Sequence, residues 1–172
     1  LKPGNLWLEA PSGRVKLLDF GLAVAFDDEG PEPVGGSGTP GYLAPEQVQH
    51  GPLDPRTDVF GLGCVLFQLA SGRLPFHGPA AMRVFWTVTG ETPPALATLR
   101  PELSARLSDL VGRMLDRNPQ GRPADGTAVF DELVEIEEER RAAAASRLRR
   151  RNWLRIAGAT VVSYCTGGIR CE

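Results

Sequence analysis

The sequence predicts a mainly α fold with one small β-hairpin. Three features predict it: two short apolar runs flank a turn near the start, a long apolar stretch follows, and apolar residues then recur at spacings of three and four. The chain has 172 residues, of which 42% are hydrophobic, which is enough for one globular core. Its 20 glycines and 15 prolines exclude a coiled-coil rod and predict many turns.

The hairpin is predicted from Leu6–Leu8 and Val15–Leu18, two apolar runs that Pro11–Gly13 separates. The stretch 27–41 comes next and is rich in glycine, proline and acidic residues, with almost no apolar side chain. It is too polar to form a core element, so we expect an exposed loop. Loops of this length are usually functional or mobile.

The middle of the chain predicts a buried helix over Thr57–Ala70, because its apolar residues leave no polar stripe at helical period. Thr57 and Asp58 are the candidates for its N-cap, and Ser71 with Gly72 predicts its end. A helix that is apolar all round must be covered by other elements, so this one is expected at the centre of the fold.

Two more helices are predicted downstream. One follows Ser104, a good N-cap, and has apolar residues on a single face. The other begins near Asp125, and we expect Phe130, Leu133 and Val134 to face inward. Beyond Val134 the same helix has almost no apolar face, so it is expected to project from the domain.

Charge and cysteine content limit the partners and the compartment. The net charge of −2 leaves no broad basic surface, so we expect no nucleic-acid partner. Three cysteines and two histidines, without a Cys-x-x-Cys pair, argue against a zinc site or a disulfide framework. Cys64 lies in the apolar stretch and is predicted to be a small buried hydrophobe. We expect the main body of the protein to be cytoplasmic.

The residues that could carry chemistry gather around the hairpin. Asn5 and Asp19 flank it, so pairing of its strands brings an amide oxygen and a carboxylate to the same end. Taken alone, each is most often a turn residue. Together, two hard oxygen ligands without His or Cys suit Mg²⁺ that keeps water and phosphate oxygens as its other ligands. Lys2 would add a cation where phosphate charge develops.

Five motifs occur in order between Leu1 and about Leu133. They are LKPGN, LLDFG, GTPGYLAPE, TDVFGLGCVLFQLASGRLPF and RNPQGRP. In these motifs the chain resembles the Ser/Thr protein kinases, most closely the eukaryotic-type kinases of bacteria. The resemblance implies the C-terminal, larger lobe of the protein-kinase-like fold over residues 1–134, with the N-terminal lobe absent. It also implies transfer of the γ-phosphoryl group of ATP to Ser or Thr of protein substrates, with Mg²⁺ as the metal.

The resemblance gives each residue of the site a role. Asp19 would hold the Mg²⁺ that bridges the terminal phosphates of ATP, and Asn5 would bind the second ion. Lys2 would neutralise the transferring phosphoryl group. Thr39 would face Lys2 and help to seat the hydroxyl of the substrate. By resemblance all four residues are catalytic, and Lys2, Asn5 and Asp19 also bind the ATP and its metal.

Further roles are implied for the activation segment and its supports. Glu46 and Arg122 would form the ion pair that locks this segment to the core. Asp58 would accept hydrogen bonds from the backbone of the catalytic loop, with a helix cap as the alternative. Ser37 is the candidate activating phosphosite. Acidic residues in the same loop could supply similar charge, so we expect modest or no control through phosphorylation.

The resemblance also implies what the chain lacks. The family's catalytic Asp would lie directly before Leu1, and the Gly-rich loop and the ATP-gripping lobe would precede it. We therefore expect the chain alone to be inactive and the missing N-terminal lobe to be its partner. A non-catalytic kinase-like binding module and a fragment without function stay open as alternatives. The coding sequence upstream of Leu1 would separate these possibilities.

After the resemblance ends, the chain continues as a charged and then an apolar tail. Residues 135–155 predict a juxtamembrane-like helix, with five arginines and no acidic residue between Arg147 and Arg155. Residues 156–172 include Ile156–Ile169, a run of 14 uncharged residues. A membrane-spanning helix needs roughly 18 to 20. The alternatives are a truncated membrane segment that anchors the cytoplasmic kinase portion, and a solvated helix with a loose end.

Overall fold

The computed structural model describes residues 1–18, 39, 41–76 and 92–166, of which 148–166 are described by their backbone alone. The elements within these ranges are strands β1 (Leu6–Glu9) and β2 (Arg14–Leu17) and helices α1 (Pro45–Val48), α2 (Pro55–Ser71), α3 (Leu96–Leu99), α4 (Ala105–Met114) and α5 (Gly126–Thr166). The predicted mainly α fold with a small hairpin is thereby confirmed. Asp19, Ser37 and most of the predicted loop 27–41 lie outside the described residues.

Strands β1 and β2 form the predicted antiparallel hairpin. The register pairs Leu6 with Leu17, Trp7 with Lys16, Leu8 with Val15, and Glu9 with Arg14. The turn ends at Gly13, whose φ of 68° lies in the left-handed region that favours glycine. Leu8 and Val15 lie directly opposite each other and are 67% and 65% exposed. This face of the hairpin is therefore apolar and open to solvent.

Helix α2 starts two residues before its predicted start. Asp54 is its N-cap, because Asp54 Oδ1 accepts a hydrogen bond from the Arg56 N–H at 2.8 Å. Pro55 takes the first helical position, where no N–H is needed. The prediction of Thr57 or Asp58 as the cap is therefore wrong. The predicted end is confirmed, since Gly72 adopts a left-handed φ of 76° directly after Ser71.

The core of the described residues forms around α2. Its buried members are Ala44, Phe60, Cys64, Phe67, Phe76, Leu96, Val111 and Leu115. Helices α3 and α4 pack against α2. The α2–α4 approach is close at Gly63, where an added Cβ would lie 2.9 Å from Met114 Cβ. Burial of Cys64 confirms that this residue is a small core hydrophobe.

Helices α4 and α5 each start after a residue whose side chain caps the first turn. Ser104 Oγ accepts from the Leu107 N–H at 3.1 Å, which confirms Ser104 as the N-cap of α4. Asp125 Oδ1 accepts from the Ala128 N–H at 2.9 Å, so α5 begins where the sequence predicts.

The inward face of α5 differs from the prediction. Phe130 is 64% exposed and Val134 is 39% exposed, whereas Val129 and Ile136 are buried. Val129, Leu133 and Ile136 follow the spacing of one helix face, and Phe130 and Val134 each lie one residue past that face. The prediction is wrong for Phe130 and Val134, by one position of helical rotation, while half-buried Leu133 lies on the predicted face.

The chain divides into two compact units, Leu1–Glu132 and Leu133–Glu172. In the second unit, residues 138–147 are exposed along α5. Hydrogen bonds from Arg140 and Arg141 lower the pKa of Glu137 to about 2. Among the described residues, no helix has the length and apolar content needed to cross a bilayer.

Candidate active site

The open end of the hairpin holds Lys2 and Asn5. Pro3–Asn5 forms a single 3₁₀ turn, in which the Asn5 N–H donates to Lys2 O at 3.0 Å. The Leu18 N–H donates to Asn5 O at 2.7 Å and so extends the pairing of the strands beyond Leu6. Residue 19 follows this bond directly. Asp19 itself lies outside the described residues, so its predicted role stays a prediction.

Thr39 lies opposite Lys2. Lys2 Nζ donates a hydrogen bond to Thr39 Oγ1 at 3.3 Å, across 37 residues of sequence. A cation and a hydroxyl group therefore meet beside the turn that holds Asn5. The contact agrees in geometry with the arrangement that the resemblance implies, while the catalytic roles of both residues stay predictions.

The segment that follows Thr39 is fastened to α2. Tyr42 N–H donates to Thr39 O at 3.3 Å, and the Tyr42 hydroxyl is 2.6 Å from Gln68 Oε1. Gly41 has a φ of 103°, which only glycine adopts readily. The Ala44 N–H donates to Gln47 Oε1 at 3.0 Å, at the start of α1. The Tyr42–Gln68 bond ties Tyr42 to the central helix, and the other two bonds join residues of the segment itself.

Glu46 and Arg122 form a bidentate ion pair. Arg122 Nη1 lies 2.7 Å from Glu46 Oε1, and Arg122 Nη2 lies 2.9 Å from Glu46 Oε2. The Arg122 side chain is fully buried, and that of Glu46 is 9% exposed. Burial alone would raise the pKa of Glu46, but hydrogen bonds from Arg122, from backbone and from Thr57 lower it below 4.5. Glu46 is therefore ionised at neutral pH.

The Arg122 guanidinium group has further partners. Its N–H groups donate to Asp116 O at 2.7 Å, to Arg56 O at 3.0 Å and to Arg117 O at 3.3 Å. It also stacks over the ring of Phe60, with Cζ 4.9 Å from the ring centroid. A buried charge is tolerated when it is paired and hydrogen-bonded in this way.

Asp58 is exposed in the first turn of α2, and within the described ranges no hydrogen bond to its carboxylate is found. Its predicted role toward the catalytic loop stays a prediction. Leu1 nevertheless lies next to α2, since an added Cβ on Gly61 would be 3.5 Å from Leu1 N. It would also be 3.7 Å from Tyr42 O. Leu1 and Tyr42 thus both lie beside position 61 of the central helix.

Sequence reasoning missed two residues that position the site, Thr57 and Gln68. Both lie on one face of α2, with Gly61 and Cys64 between them at spacings of four and three. Gly61 and Cys64 are buried, so this face is apolar between its two ends and the interpretation of a helix without a polar stripe is confirmed there. No local pattern marks Thr57 and Gln68, because each bonds to a residue outside α2.

Among the described residues, no group of three or more His, Cys, Asp or Glu side chains is placed to hold a metal ion. The Asn5 amide is half-buried at the open end of the hairpin. An amide oxygen suits Mg²⁺, and the fit of the site to that ion depends on a carboxylate from position 19.

Comparisons with known proteins point to one family. The model of the protein kinase domain matches residues 1–135. The chain is 37% identical over 151 residues to the serine/threonine-protein kinase pkn3 of Myxococcus xanthus, covering 82% of this chain and 28% of that protein.

Two mycobacterial proteins are similar as well. The serine/threonine-protein kinase PknB of Mycobacterium tuberculosis is 34% identical over 139 residues, which is 79% of this chain and 22% of PknB. The serine/threonine-protein kinase PknL of the same organism is 35% identical over 140 residues, which is 81% of this chain and 35% of PknL. The chain thus spans 22–35% of the length of these relatives.

Proposed function

This chain belongs to the protein kinase family, and we propose that it forms the C-terminal lobe of a Ser/Thr kinase. The whole protein would transfer the γ-phosphoryl group of ATP to Ser or Thr of a protein substrate. The observation that carries the proposal is the contact of Lys2 Nζ with Thr39 Oγ1, beside the turn that holds Asn5. The relatives named as serine/threonine-protein kinases support the choice of acceptor.

Each residue of the site would contribute a charge or a hydrogen bond. Asn5 and Asp19 would hold Mg²⁺, which when bound supplies charge stabilisation to the phosphates of ATP. Lys2 would place a positive charge beside the transferring group and hold Thr39 through its hydroxyl. Thr39 would orient the hydroxyl of the acceptor. The N-terminal lobe of the whole protein would supply the rest of the ATP site.

A kinase-like binding module is the competing function. Such a module has no need of metal ligands, and the sequence keeps Lys2, Asn5 and Asp19. Leu18, the residue directly before Asp19, bonds to Asn5 at this end of the hairpin. This bond favours a catalytic function over a binding module. A reading frame that starts at Leu1 would favour the binding module or a fragment.

The test is phosphoryl transfer by the complete reading frame that contains this chain. ATP carrying radioactive γ-phosphorus, Mg²⁺ and a generic protein acceptor would show whether Ser or Thr becomes labelled. We expect Lys2→Ala and Asp19→Asn each to lower kcat by about 10²-fold or more. Lys16→Ala is the matched control, because Lys16 is an exposed lysine of the same hairpin, paired with Glu9. Equal activity of all three variants would contradict the proposal.

For the tail we propose that the kinase portion is cytoplasmic and that the arginines at 147–155 hold it to an anionic membrane surface. Arginine clusters without acidic residues attract anionic lipid, and salt weakens that attraction. Membrane fractions of cells that express the complete protein would be washed with salt and with carbonate. Release by salt supports surface attachment, and resistance to carbonate supports a span. Recovery in the supernatant before any wash would contradict both.

A further inference from the structure

We infer that Thr57 is a positioning residue for the acceptor side of the proposed active site, acting through the carboxylate of Glu46. The inference rests on the proposed function. Thr57 Oγ1 donates a hydrogen bond to Glu46 Oε1 at 2.8 Å. The carbonyl before it, Arg56 O, accepts from Arg122 Nη1 at 3.0 Å. Consecutive residues in the first turn of α2 therefore hold both partners of the ion pair.

The hydroxyl of Thr57 adds a constraint that Arg122 alone does not supply. Arg122 is bonded to α2 through Arg56 O, so through Arg122 the carboxylate of Glu46 is tied to α2 only indirectly. Glu46 Oε1 receives a further bond from Thr57, a donor on a different element. This third bond fixes the carboxylate relative to α2.

Glu46 is connected to Thr39 and Lys2 through a short stretch of backbone that hydrogen bonds hold in place. Ala44, two residues before Glu46, is fully buried. Tyr42 precedes it and is linked both to Gln68 of α2 and to Thr39. Thr39 in turn accepts the hydrogen bond from Lys2. Every step from Thr57 to Lys2 is thus a contact or a span of a few ordered residues, so release of Glu46 would loosen the threonine that faces the lysine.

The experiment compares backbone hydrogen exchange in the 172-residue chain and its variants by mass spectrometry. Thr57→Val removes the hydroxyl at nearly constant volume, and Thr57→Ser keeps it. Loss of a hydrogen bond to a charged group predicts that Thr57→Val raises exchange in segment 39–48 about tenfold. We expect Thr57→Ser to restore slow exchange. Ser108→Ala is the matched control, because it removes a buried hydroxyl that bonds Ala97 N–H instead.

An exchange rate in segment 39–48 that is unchanged in Thr57→Val would overturn the inference. Equal acceleration over the whole chain would also overturn it, because that result assigns Thr57 a global structural role. Should Thr57→Val fail to fold, Thr57→Ala replaces it. If both variants fail to fold while Thr57→Ser folds, Thr57 has a global structural role and the inference is overturned.

A kinetic readout links the inference to the reaction. In the complete protein we expect Thr57→Val to raise KM for the protein acceptor about tenfold while KM for ATP stays within about twofold, since only the acceptor side is loosened. An equal rise of both KM values would overturn the positioning role. Absence of phosphoryl transfer by the unaltered protein would refute the proposed function and would leave the exchange result standing.

Discussion

Glu46 and Arg122 lie 76 residues apart in sequence and form a buried ion pair with two hydrogen bonds, of 2.7 and 2.9 Å. The pair joins the start of α1 to the turn before α5. Each partner would be left as a buried, uncompensated charge without the other, which makes the pair a sensitive point of the fold.

Removal of one partner is therefore expected to be costly. Arg122→Ala should lower the free energy of unfolding by about 3–5 kcal/mol, because Glu46 stays buried without its cation. Arg122→Lys should recover only part of this loss, since an ammonium group cannot make the bidentate contact. Urea denaturation followed by circular dichroism measures both.

The control for this substitution is Arg113→Ala. Arg113 also has two acidic partners, Asp109 and Glu132, but its side chain is 40% exposed. Exposed pairs contribute about 1 kcal/mol or less, so its loss should be small. Equal effects of Arg113→Ala and Arg122→Ala would show that burial does not set the energy.

Acid should weaken the same ion pair. The pKa of Glu46 in the folded state lies below its ordinary value of 4.5. Its contribution to stability is therefore complete above the unfolded pKa and is lost as the pH falls through the lower, folded pKa. Carboxyl carbon chemical shifts of Glu46, followed by NMR from about pH 7 to pH 3, should show a titration midpoint below that of an unfolded peptide. A midpoint above the peptide value would contradict this prediction.

Substitution of Gly63 and of Gly112 by alanine is expected to change the stability of the protein in opposite directions. Gly63→Ala should destabilise the protein by about 1–3 kcal/mol, because the new Cβ would lie 2.9 Å from Met114 Cβ. Gly112→Ala, inside α4 with no atom within 4 Å of an added Cβ, should stabilise it by about 0.5–1 kcal/mol. Thermal melts of the two variants beside the parent chain test the sign of each effect.

Cys64 should be chemically inert in the folded protein. The residue is fully buried, and burial raises the pKa of its thiol to about 12. Iodoacetamide at about pH 8 should leave the peptide that contains Cys64 unlabelled until guanidinium unfolds the chain. Equal labelling of the Cys64 thiol before and after unfolding, detected by mass spectrometry, would contradict its burial in the core.

Local signals in the sequence predicted the elements but not every face. The Pro11–Gly13 turn, the two apolar runs that flank it and the Ser104 cap act within a few residues, so the hairpin and α4 could be predicted. The start of α2 was misplaced because the Asp54–Pro55 pair, a strong N-terminal signal, was not used. Phe130 is predicted inward with Leu133 and Val134, at spacings of three and four, whereas the folded protein buries the neighbouring Val129.

The residues of the site were also predicted only in part. Lys2, Asn5 and Thr39 were identified from motifs, and their proximity depends on the hairpin and on a contact across 37 residues. Thr57 and Gln68 were missed because each acts through a partner that is distant in sequence, 11 and 26 residues away. Such partners become visible only when the chain is folded.

The two ends of the hairpin differ in what they contact. Its open end carries Asn5 and the bond from Leu18, while the turn around Gly13 lies at the opposite end, among exposed residues. Changes in the length of the turn can be absorbed there without shifting the register at the open end. The turn is thus a place where a reporter peptide or an affinity tag could be inserted, leaving the spacing between residues 5 and 18 intact.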